Sequence, residues 1–132
     1  MRSRQLQVLC VVPHPLARLV VERALQHARG IRLLRGTEPG ASPTLKRQPG
    51  IIILDAATGE ALSRVVRQFR ASFPQGKFLL IGAAASDEEL VRALFMGIQG
   101  YLDYGHVPTR LVSTLQSMAR GRVCGPERAL QQ

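Results

Sequence analysis

A chain of 132 residues with 45% hydrophobic content can bury the core of one globular domain without staples, and its two cysteines, Cys10 and Cys124, show neither metal-ligand spacing nor a disulfide framework. No stretch approaches the ~20 apolar residues of a membrane span, and the N-terminal apolar run is too short for a signal-peptide core, so a cytoplasmic chain with reduced thiols and no membrane contact is expected. The net charge of +9 rests on 18 basic residues, 16 of them arginine, but these are scattered from Arg2 to Arg128 with no Trp and two Tyr, a pattern that fits a solvated arginine-rich surface better than a nucleic-acid site.

Short apolar runs alternate with helical periodicity along the whole chain. Leu6 to Val12 reads as a first strand, apolar enough to be covered on both faces. It stops at Pro13-His14-Pro15, and a helix follows with Leu16, Leu19, Val20, Ala24 and Leu25 as its apolar face, ending at Gly30. Ile31 to Leu34 is a second strand. Pro43 and Pro49 leave room for only about two helical turns between them. "IIILD", residues 51 to 55, is the most strand-like segment and ends in an acid. A third helix carries Leu62, Val65, Val66, Phe69 and Phe73 at helical spacing until Pro74 and Gly76. "KFLLIG" is a fourth strand. Ser86 and Glu89 have capping-box spacing at the start of a fourth helix running to Gly97. "GYL" is a short fifth strand, and Pro108 opens a fifth helix with Leu111, Val112, Leu115 and Met118 facing inward until Gly121.

Five strands alternating with five helices require parallel pairing through right-handed crossovers. The expected architecture is α/β, a three-layer sandwich around a flavodoxin-like, doubly wound five-stranded sheet in the order 2-1-3-4-5. Residues 1–122 form the domain and residues 123–132 a tail or the start of a linker. Such sheets hold their working groups at the carboxyl ends of the strands, near the point where strand order reverses.

From "QVLCVVPHPLAR" through "PGIIILDA" and "SDEELVRALFMGIQGYLDYG" to "SMARGR", the chain resembles the receiver domain of two-component response regulators, most closely those of helix-turn-helix transcription factors. The resemblance implies phosphoryl transfer from a histidine kinase to an aspartate at the end of the third strand, where Asp55 stands. It also implies an acid pair holding Mg²⁺ after the first strand, a hydroxyl after the fourth and a lysine after the fifth. Those positions hold Val12 and Pro13, Ala83, and Tyr104. Tyr101 matches the aromatic that changes rotamer on phosphorylation in some members.

These departures bear on the chemistry directly. Phosphoryl transfer needs positioning, a bridging metal and neutralisation of the equatorial oxygens, and Mg²⁺ needs several hard oxygen ligands. Alanine donates no hydrogen bond from its side chain, and a tyrosine hydroxyl carries no positive charge. Asp55 is expected to be a vestigial phosphoacceptor whose carboxyl caps the following turn. His14 reads as a turn residue, Tyr101 as a packing aromatic, and Arg64, Arg67 and Arg70 as a solvated face. No phosphate loop, nucleophile elbow or Ser-His-Asp set points to an enzyme.

The expectation is therefore a pseudo-receiver that acts by protein contact, with no cofactor and no metal. Its partner is another protein or a second copy, and DNA is reached only through an output domain outside this chain, to which "ARGRVCGPERALQQ" resembles the lead-in. Regulation by a partner, by dimerisation or by a small ligand stays open. The rivals are a receiver still using Asp55 in a phosphorelay, and a basic nucleic-acid-binding domain.

Overall fold

Every residue of Ile51–Asp55 is buried, which a strand can satisfy only at the centre of a sheet with both faces covered. The computed structural model describes residues 5–35 and 48–125 and places this strand, β3, in that position. Around it lie β1 (Leu6–Val11), β2 (Ile31–Arg35), β4 (Lys77–Gly82) and β5 (Gly100–Asp103). The order is β2-β1-β3-β4-β5 and all four pairs are parallel. Strand order reverses between β1 and β3, so the crevice at the carboxyl ends of those two strands is the place to look for a site.

Alternation along the strands sorts their side chains into two cores. Val8, Cys10, Ile51, Ile53, Leu79 and Ile81 face one layer, made by α1 (Pro15–Leu25) and α4 (Val107–Ala119). Leu9, Ile52, Leu54, Phe78 and Leu80 face the other, covered by α2 (Leu62–Ser72) and α3 (Asp87–Phe95). Each fully buried aliphatic or aromatic side chain contributes roughly 1.5–3 kcal/mol, so the strands and helices hold together only as a unit. Leu62, Val65, Val66, Phe69 and Phe73 are all buried as their spacing predicts, and the Ser86–Glu89 capping box opens α3.

Three elements differ from the expectation. The first strand ends at Val11, although Val12 stays buried. In α1 the buried residues are Val21 and Leu25, with Ala17, Ala24 and Ala28 packed beside them, while Leu16, Leu19 and Val20 are exposed. The helix is apolar around more than half its circumference, so periodicity allowed two faces; the face with alanines permits the close approach to α4 that the larger residues would block. Short 3₁₀ turns, Ala56–Ala61 and Tyr104–His106, precede α2 and α4, the first kinked at Gly59 with φ 71°. The short helix expected between Pro43 and Pro49 lies almost wholly outside the described residues.

The chain after α4 returns to the sheet. Tyr101 donates its backbone N–H to the Cys124 carbonyl at 2.9 Å, and Cys124 donates to the Gln99 carbonyl at 2.9 Å. Cys124 thus covers the free edge of β5 with a single parallel bridge, which blunts an otherwise open strand edge. No helix among the described residues is long and apolar enough to cross a membrane.

Candidate functional site

Asp55 is the last residue of β3, paired with Ile81 of β4, and is only 1% exposed. Its backbone is extended while the next residues turn, which makes it the cap of the Ala56–Ala61 turn. Oδ1 accepts the Ala57 N–H at 2.9 Å. The same oxygen accepts a second hydrogen bond, from the Tyr104 hydroxyl. Oδ2 is buried and has no hydrogen-bond partner among the described residues.

Tyr104 reaches Asp55 because β5 ends one residue earlier and the Tyr104–His106 turn swings the ring across the end of the sheet. Burial, followed by the hydrogen bond to Asp55, pushes its hydroxyl up to about 12. It is therefore a neutral donor throughout the ordinary pH range, where a lysine would bring a full positive charge.

The other expected site positions give Asp55 no further hydrogen bond. Val12 is 3% exposed and belongs to the α1–α4 core with Cys10 and Val21. Pro13 faces solvent. His14 caps α1, its Nδ1 accepting the Leu16 N–H at 3.2 Å, so the Pro-His-Pro turn is held by its own histidine. Ala83 contributes its backbone: its carbonyl accepts the hydroxyl of Tyr101, which is 8% exposed. Burial, with Asp103 next in effect, raises that hydroxyl to about 12. Gly82 makes this contact possible, since a Cβ there would lie 2.7 Å from both the Tyr101 hydroxyl and Ala56 Cβ. Of the three arginines on α2, Arg70 sits over the Phe78 ring at 5.3 Å and donates to the Met96 carbonyl at 2.9 Å, a packing role.

The divalent cation implied by the resemblance does not fit these residues. Asp55 is a single carboxyl group with one oxygen already accepting two hydrogen bonds, and its neighbours across the strand ends are a valine and a proline. Among the described residues, no three of His, Cys, Asp and Glu lie close enough to hold a metal. Such a donor set cannot build a near-octahedral oxygen shell.

Solved structures similar to this one are response regulators. The isolated receiver domain of RcsB from Salmonella enterica serovar Typhimurium is 18% identical, with a TM-score of 0.81 over 97% of this chain and 100% of that one. The receiver domain of the putative response regulator NarL from Mycobacterium tuberculosis is 25% identical, with a TM-score of 0.77 over 90% of this chain and 99% of that one. The chain has the receiver fold. A longer RcsB response regulator from Salmonella typhimurium, described in terms of DNA interaction, is 16% identical with a TM-score of 0.79, over 98% of this chain and 67% of that one. No family model and no curated protein matches.

On this receiver fold, the bond between Tyr104 and Asp55 is the contact that sequence reasoning missed. A signal was there: the residue in the lysine's place is a hydroxyl donor on a side chain long enough to reach the end of β3. The chain's two tyrosines offer a direct test. Both folded-state values are raised to about 12 from about 10 when unfolded. Their contribution to stability is then fully present below pH ~10 and is lost as pH rises through about 12. Tyrosinate absorbance against pH is expected to show no step near pH 10 in the folded protein, and Asp55→Asn is expected to bring one tyrosine's step down toward 10. A full one-tyrosine step near pH 10 in the unmodified protein would contradict the geometry.

Proposed function

We propose that this chain is a pseudo-receiver, a regulatory rather than catalytic module that acts by protein contact and does not accept a phosphoryl group. The observation that supports this reading most is the Tyr104 hydroxyl on Asp55. It occupies the acid with a neutral donor at the position where transfer needs a metal and a cation. The setting we infer is a bacterial transcriptional response regulator in which DNA is bound by an output domain outside this chain. The similar structures support that setting, because they include receivers and a response regulator described in terms of DNA interaction.

The partner we propose is a second copy of this chain, meeting the side formed by α3, β5 and α4. Val91, Leu94 and Phe95 of α3 are exposed at 51%, 57% and 87%, an apolar patch that water alone does not favour. Arg92 and Arg110 add positive charge on the same side, next to the Asp103 carboxyl group whose Oδ2 lies 3.7 Å from His106, so charges of both signs border the patch for a two-fold contact. The exposed Val123, beside the bridge at Cys124, extends this surface.

Three measurements test the reading and its partner. A site that binds Mg²⁺ in the native state would raise stability by RT ln(1 + [L]/Kd), so melting with and without millimolar Mg²⁺ is expected to give the same midpoint. Mass spectrometry after acetyl phosphate treatment is expected to find no adduct, and a clear adduct on Asp55 would restore the phosphorelay reading. Sedimentation is expected to show a concentration-dependent dimer that Phe95→Ser weakens at least tenfold; a monomer at all practical concentrations would remove the second copy as partner.

A further inference from the structure

His14 caps α1 and Tyr104 covers Asp55, and the same two residues form the polar rim of one cleft. It has a volume of about 290 Å³ and opens between the start of α1 and the turn into α4. Leu16, Ala17, Val20, Ile81 and Val107 make its walls, so no lysine, arginine or carboxylate lines it. Small-molecule sites have this character, an apolar well with a few placed polar groups.

The hydrogen bonds already made by the rim residues decide what those groups can offer. His14 Nδ1 accepts the Leu16 N–H, which assigns the proton of the neutral ring to Nε2 and makes that nitrogen a donor. Tyr104 directs its own proton to Asp55, which leaves its oxygen as an acceptor. A donor and an acceptor on one apolar well are complementary to a hydroxyl group, which both gives and takes. An anion would face the Asp55 carboxyl behind Tyr104 with no cation in the lining to offset it.

We propose that this cleft binds a compact, uncharged, mainly apolar molecule bearing one hydroxyl, of the phenol class. The site goes beyond the pseudo-receiver reading and shares with it the Tyr104 hydroxyl bond to Asp55; an adduct on Asp55 would fail that reading, whereas only the binding measurements below fail this one. Exposed Leu16 and Val20, at 68% and 39%, are the side chains that such a ligand would cover.

The test is titration of the ¹⁵N-labelled chain with 4-ethylphenol, followed by backbone amide shifts and by melting. Saturable shifts are expected at Leu16, Ala17, Val20, Ile81, Tyr104 and Val107, with a rise in Tm. Ala17→Leu fills the well and is expected to weaken binding at least tenfold; Val20→Phe, at a partly exposed position, does the same if Ala17→Leu disturbs packing. The matched anion 4-ethylbenzoate is expected not to saturate the site. The proposal falls if no shift saturates, if the shifts centre on Val91, Leu94 and Phe95, or if neither filling variant changes the affinity. It falls equally if 4-ethylbenzylamine binds more tightly than the phenol, which would assign the cleft to cations, or if dilution of the protein alone moves the cleft amides, which would make a second copy the occupant.

Discussion

A carboxyl group at 1% exposure, at the end of a strand whose other residues are all apolar, must be held by its neighbours, because burying an unsatisfied polar or charged group costs several kcal/mol. Asp55 is held by two donors on one oxygen, the Ala57 N–H and the Tyr104 hydroxyl. Hydrogen bonds to a charged acceptor are worth about 1.5–3 kcal/mol each. Neither donor brings a positive charge. The consequence runs through the whole end of the sheet: the acid is built into the fold, and the turn that delivers Tyr104 is also the turn that starts α4.

The same end of the sheet is held by apolar packing and by paired polar groups. Val12 packs with Cys10 and Val21 as part of the core, so this strand-end position contributes to stability through burial. Tyr101 is fixed at both of its donor groups, its hydroxyl on the Ala83 carbonyl and its N–H on the Cys124 carbonyl. That residue therefore joins the loop after β4 to the chain that follows α4. The β5 edge is thus tied to the Asp55 end of the sheet through Tyr101 and Tyr104.

Much of this was legible in the sequence. The alternating α/β architecture, the buried face of α2 and the cap of α3 follow from residue patterns: Leu62, Val65, Val66, Phe69 and Phe73 make a single stripe, and Ser86 with Glu89 makes a reciprocal cap. The face of α1 was not legible, because Leu16, Leu19 and Val20 have the same period as the residues that are buried, and only the packing of alanines against α4 separates them. At the site, the residues that depart from the receiver pattern could be named from their positions. What they do instead could not, since the contact between Tyr104 and Asp55 spans 49 residues and depends on a 3₁₀ turn with no strong local signature. The bridge from Cys124 to Gly100 was hidden for the same reason, as a single backbone pairing leaves no side-chain pattern.

The tie between Asp55 and Tyr104 is most directly measured by a double-mutant cycle on unfolding free energy with Asp55→Ala, Tyr104→Phe and the pair. A hydrogen bond that holds the buried acid predicts a coupling of about 1–3 kcal/mol between the two positions. Effects that add to within about 0.5 kcal/mol would contradict the account, because the two residues would then hold their places independently and Asp55 would be free to serve as an acceptor.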